Sequence, residues 1–166
     1  MSELFIKQSL VKSLPTVDAL ILDIDGVVLD VSGSFRVAIA QTAQFYALNF
    51  MELADSGPVF EVADGELFKM AGGFNSDWDL TNAVVALLVA KQAISGLKDT
   101  ESLRWQEPSW AQFTEQIRRR GGGLEAAEKW ILDTLNATQR RDFTRMLKPK
   151  LVTQIFQEFS LERPDN

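Results

Sequence analysis

Hydrophobic and polar positions along this chain change period after its first thirty residues. From Val17 to Leu22 only Asp18 interrupts an apolar run. That is too continuous for a half-solvated strand and predicts a short strand covered on both faces. Beyond Asp30 the spacing becomes helical. Ser32-Gly33-Ser34 can cap a helix from Phe35 to about Phe50, with Ile39, Phe45, Tyr46 and Leu48 recurring at helical intervals. A second helical stretch covers Gly65 to Met70, its start reaching back as far as Pro58, and Gly72 to Asp79 predicts a loop. Asp79 or Thr81 can cap the next helix. Its Ala83 to Ala90 run is apolar all round and predicts burial between other helices.

The second half continues in the same manner. Gly96 to Glu107 predicts a mobile polar connection. Pro108 and Ser109 open a helix with Trp110, Phe113 and Ile117 on one face, ending at Arg120 before the glycine joint Gly121-Gly122-Gly123. Leu124 to Leu135 follows, with Ala127, Trp130 and Ile131 inward. Asn136 or Thr138 caps a stretch before Pro149, and Leu151 to Phe159 is helical again. One strand among six or seven helices is lopsided, because a buried strand needs hydrogen-bonding neighbours. Either it pairs with a copy or another chain, or its sheet is supplied by residues beyond Asn166. The expected domains are a core segment over 1–30, a helical cap-like domain over 31–160 and a frayed tail over 161–166.

Composition narrows the function. The 166 residues are 46% hydrophobic and 24% charged, as in an ordinary globular protein. A formal charge of -6 disfavours nucleic acid as a partner unless the basic residues gather on one face. The best such cluster, Arg118-Arg119-Arg120 with Arg140, Arg141 and Arg145 at a distance, predicts a solvated helix end, with a phosphate or partner contact as the minor reading. There is no Cys and no His. Thiolate and imidazole chemistry are therefore excluded, and carboxylates remain as the bases and oxygen as the metal ligand. No stretch approaches the length of a membrane span and no secretory signal opens the chain, so a cytoplasmic protein that does not enter a membrane is expected.

The candidate chemistry lies at Asp23-Ile24-Asp25-Gly26. Two carboxylates at the carboxyl end of a strand stand where open α/β sheets bind ligands, and Gly26 permits a turn that aims the second toward a ligand held by the first. Asp23 could attack phosphorus to form an aspartyl-phosphate. Asp25 could protonate the leaving oxygen and later deprotonate water, with Mg²⁺ offsetting the repulsion between the anions. An Asp-x-Asp also occurs in turns and caps, and Asp30 fits a turn or cap better than a ligand contact.

Ile21-Leu22-Asp23-Ile24-Asp25-Gly26-Val27-Val28-Leu29-Asp30 resembles the first motif of the haloacid dehalogenase-like (HAD) hydrolase superfamily, and Ser32 to Arg36 resembles the entry to its helical cap. The resemblance implies a nucleophile and metal ligand at Asp23, and an acid/base that also binds the metal at Asp25. It further implies a chain that is mostly α as supplied: the N-terminal strand and helical cap of an α/β Rossmann-like fold. Thr81, Lys91 and Asp133 have side chains suited to the later motifs but lie in helical sequence. The expected function is a magnesium-dependent phosphomonoester hydrolase fragment or subunit, inactive by itself and acting on a phosphorylated small molecule. The alternative is a non-catalytic binding or scaffold protein of the same ancestry. The loop residues Gly72, Gly73, Asn75 and Trp78 are the candidate substrate loop. An equal reading has Phe74 and Trp78 plugging the helical core.

Overall fold

The computed structural model describes residues 14–19 and 32–161. The chain divides into two units, Met1–Ser32 and Gly33–Asn166. In the first, Leu14–Thr16 form one 3-10 turn and residues 15–19 are exposed. The rest of the described chain forms eight α-helices: α1 (Ser32–Asn49), α2 (Gly65–Ala71), α3 (Asp77–Ser95), α4 (Thr100–Trp105), α5 (Trp110–Arg119), α6 (Gly123–Thr134), α7 (Ala137–Met146) and α8 (Pro149–Leu161).

The second unit is built around α3. Every residue from Leu80 to Gln92 is buried, as an apolar surface without a polar stripe requires. Helices α4, α6, α7 and α8 pack against it, while α2 packs on α5 and α5 on α6. The amide nitrogens of two core side chains find partners, while Asn82 Oδ1 and Gln92 Oε1 are buried without one. Asn82 Nδ2 donates to Trp78 O and Thr153 Oγ1, and Gln92 Nε2 donates to Met51 O at 3.0 Å. Tyr46, with no exposed surface, donates its hydroxyl to Met146 O at 2.6 Å and accepts from the Lys148 amide at 3.1 Å, fastening α1 to the turn between α7 and α8. A ring cluster fills the space under α2 and α5. Trp110 stands edge-on to Phe60 at 5.1 Å, Phe68 lies 6.0 Å from Phe113, and Phe113 lies 5.4 Å from Trp130.

This architecture overturns the α/β expectation. A Rossmann-like core is organised by a sheet, and among the described residues there is no β-strand, only an isolated parallel bridge between Ala54 and Asp99. Val17, the first residue of the proposed strand, is in irregular chain and 54% exposed. Leu20 to Val31, which include Asp23, Asp25 and Asp30, lie outside the described residues. The physical reason for the error is that a short apolar run carries no period of its own, so continuity alone does not specify a strand. The family resemblance built on that run falls with the fold.

Two local expectations also change. Gly96 to Glu107 is not an unstructured connection, since it contains α4, whose N-cap Asp99 accepts the Ser102 amide at 2.8 Å. The cap of α3 is Ser76, not Asp79 or Thr81; its Oγ accepts the Asp79 amide. Ser109 and Asn136, in contrast, cap α5 and α7, and the backbone amide of each donates in return to the side-chain oxygen of the glutamine three residues on.

Candidate functional site

The two glycine clusters of the sequence meet. Gly72 ends α2 with φ 76° and Gly73 continues at φ 77°, a region that L side chains enter only under strain. Gly121, Gly122 and Gly123 connect α5 to α6, all with positive φ. The Gly123 amide donates to Gly72 O at 2.9 Å, and the Gly122 amide to Ile117 O at 3.0 Å. A Cβ on Gly73 would lie 2.6 Å from Gly122 C and Gly123 N; one on Gly122 would lie 2.5 Å from Gly72 O. Main chain rests directly on main chain, with no room for a methyl group.

This clasp fixes a loop over the start of α3. Residues Gly72 to Asp77, with Phe68, Lys69 and Leu80, line a concavity of about 310 Å³. Of the four expected loop residues, Gly72, Gly73 and Asn75 line it and Trp78 does not; Trp78 lies on the first turn of α3 and is 47% exposed. Phe74 packs on Phe68 at 5.7 Å, so one of the two proposed plugs does reach the core. Electrostatically the concavity is mixed. Lys69 and the positive end of α3 favour an anion, while Asp77 opposes one.

A second cavity, of about 360 Å³, opens between α3, α5 and α6. Leu87, Ala90, Ile94, Pro108 and Trp130 give it an apolar wall, and Lys91, Glu107, Gln112 and Thr134 complete the lining. Lys91 has no exposed surface. Its ammonium donates to Arg104 O at 3.1 Å and Leu103 O at 3.4 Å, the last carbonyls of α4, and stands 5.0 Å from the centre of the Trp110 ring. Burial pushes Lys91 down from 10.5 to about 8. Glu107 and Asp64 draw it back up, and Arg104 adds to the depression. Arg104 is itself spent on Asp64, with Nη1 2.9 Å from Oδ2 in an ion pair bent away from hydrogen-bond geometry, and on Glu61 at 3.6 Å. The Trp110 indole nitrogen is buried without a hydrogen-bond partner. Sequence reasoning noted Lys91 only as a side chain in the wrong context. The signal was present: a lysine directly after eight apolar residues on a helix with no polar face must be enclosed.

The arginine cluster is a solvated helix end. Arg118 grips Glu115 with two bonds of 2.8 and 3.0 Å, Arg119 adds a third at 2.7 Å, and Arg120 turns to Gln116. Together Arg118 and Arg119 hold the Glu115 carboxyl down to about 2.

The phosphomonoester-hydrolase expectation is corrected as well. An aspartyl-phosphate mechanism with Mg²⁺ needs a strand-end nucleophile and further oxygen ligands converging on the metal. Among the described residues there is neither a sheet nor a group of three carboxylates able to hold a metal. The expectation of a metal-binding phosphatase, and of a hydrolase at all, falls with that mechanism. So does the scaffold alternative, which rested on the same ancestry. No described helix is long and apolar enough to cross a membrane.

The chain is 33% identical over 119 residues to an imidazoleglycerol-phosphate dehydratase from Phytophthora nicotianae, a match covering 72% of this chain and 22% of that protein. It thus corresponds to about a fifth of that relative's length. No family model matches the chain, and no solved structure matches it significantly.

Proposed function

We propose that the helical unit is a small-molecule-binding domain whose ligand carries a phosphate ester and occupies the concavity under the Gly72–Asp77 loop. The observation that carries this reading is the glycine clasp. Five glycines at positive φ, Gly72, Gly73, Gly121, Gly122 and Gly123, and a main-chain contact without room for a methyl group hold a loop closely over a helix start. Lys69 and the amide end of α3 supply positive potential. The relative's name contributes the substrate class, since a dehydratase of imidazoleglycerol phosphate handles a phosphate monoester. Because the match spans only 22% of that protein, the similarity is read as marking an accessory binding region and not the dehydrating centre.

Calorimetric titration of the full chain with glycerol 3-phosphate, imidazoleglycerol phosphate and inorganic phosphate tests the reading. Lys69→Ala weakens the phosphate esters about tenfold, equivalent to ~1.4 kcal/mol. Asp77→Asn strengthens them by removing the opposing charge. No heat from any of the three, or binding unchanged in both variants, would overturn the assignment.

A further inference from the structure

We propose that the cavity between α3, α5 and α6 binds an apolar α-amino acid as its zwitterion, with the carboxylate toward Lys91, the ammonium toward Glu107 and the side chain against Leu87, Ile94 and Trp130. The cavity is separate from the glycine-clasp concavity, and the inference does not depend on that reading.

Three observations define the occupant. The volume of about 360 Å³ is that of a small-molecule site, at the lower end of the usual range. The wall is apolar, so the body of the ligand is apolar. The charges on the lining form a dipole: Lys91 sits entirely within the protein, and Glu107 stands at the exposed rim and acts on Lys91 through the field. The other charges acting on Lys91 largely cancel, since Arg104 is paired with Asp64 and Glu61. A simple anion would meet Glu107 and a simple cation would meet Lys91. A molecule bearing both charges next to an apolar body satisfies each.

The lining is also organised in advance. Glu107 Oε2 and Gln112 Oε1 both accept the Ser109 amide at 2.8 Å, which fixes the rim. One N–H of Lys91 spans 3.4 Å to Leu103 O, the weaker of its two carbonyl contacts. Lys91 lines the cavity without exposed surface of its own, so a ligand carboxylate acts on its ammonium through the field, as Glu107 does, with the two carbonyl contacts kept. An anion beside Lys91 also offsets, by Coulomb attraction, the burial that lowers its proton affinity.

The test is calorimetry on the full chain with L-leucine, 4-methylpentanoate, which lacks the amine, and isopentylamine, which lacks the carboxylate. Leucine is expected to bind, and each analogue to bind at least about tenfold more weakly. Glu107→Gln weakens leucine by a similar factor and strengthens 4-methylpentanoate, reversing their order. Thr134→Trp, a bulky group placed at the exposed rim, abolishes leucine binding. Lys91→Met is informative only if circular dichroism shows it folded, whereas the two rim variants keep the test decisive. Absence of leucine binding at millimolar concentration overturns the proposal. So do analogues that bind as tightly as leucine, or a Glu107→Gln variant that treats all three ligands as the parent does.

Discussion

Replacing Lys91 by methionine converts the most deeply enclosed charge among the described residues into an apolar side chain of similar length. In the folded chain the ammonium is lowered from 10.5 to about 8. At about 1.4 kcal/mol per pH unit, this corresponds to ~3 kcal/mol favouring the neutral over the charged amine inside the protein. The sign follows from proton counting. Below pH 8 the folded and unfolded chains both carry the proton, and the burial penalty is fully in force. Between about pH 8 and 10.5 the unfolded chain binds more protons than the folded one, so stability rises with pH. Above 10.5 both are neutral and the penalty has gone. Methionine lacks this titration, and it also lacks the two bonds to the α4 carbonyls and the contact with Trp110. These losses shift the whole curve of the variant and leave its slope alone.

The decisive quantity is therefore the difference between the two proteins as a function of pH. Urea unfolding followed by tryptophan fluorescence, repeated from pH 7 to 10.5, should show the parent gaining up to ~3 kcal/mol relative to Lys91→Met across that range. The other titrating groups, common to both chains, cancel. Parallel curves, or a parent that loses ground as pH rises, would mean that the pocket around Leu103, Arg104 and Trp110 solvates the ammonium as well as water does. The reasoning from burial would then be wrong.

The glycine clasp and the Tyr46 tie give two further stability predictions. Gly73→Ala should destabilise by more than Gly72→Ala: both incur the ~1–3 kcal/mol of an L-residue held at positive φ, but only the former drives a Cβ to 2.6 Å from main chain. Equal losses in denaturant unfolding would show that the clasp yields. Tyr46→Phe leaves Met146 O and the Lys148 amide without their shared partner and should cost about 1–3 kcal/mol. Native-state hydrogen exchange should show the turn between α7 and α8 opening first, and unchanged protection there would refute the tie.

How much of this was legible in the sequence depends on the kind of signal. The helices of the second half were visible because Trp110, Phe113 and Ile117 recur on one face and because Ser109 and Asn136 stand where caps must. α4 was missed because it is short and polar, although Asp99 three residues before Ser102 is a cap signature. The α/β expectation fails because the described residues form no sheet; it gave the apolar continuity of Val17 to Leu22 the weight that only a period deserves. The contact between Gly72-Gly73 and Gly121-Gly122-Gly123 was out of reach for a different reason. Glycines announce unusual backbone, yet nothing local to either cluster says that the other will lie against it.

Lys91 shows how a local violation of pattern can be more informative than the pattern. Everything from Ala83 to Ala90 favours a helix enclosed on all sides, and a lysine in the next position is costly in that setting unless its charge is met. The fold meets it with the carbonyl end of α4, the face of Trp110 and the fields of Glu107 and Asp64. A methionine there would have filled the same space without needing any of these. Packing alone therefore gives no reason for the ammonium, whereas a ligand carboxylate entering from the adjoining cavity does. The pH profile of Lys91→Met and the leucine titration consequently examine one claim from two directions: that this charge is held at an energetic disadvantage in the empty protein, and that the occupant of the cavity relieves it.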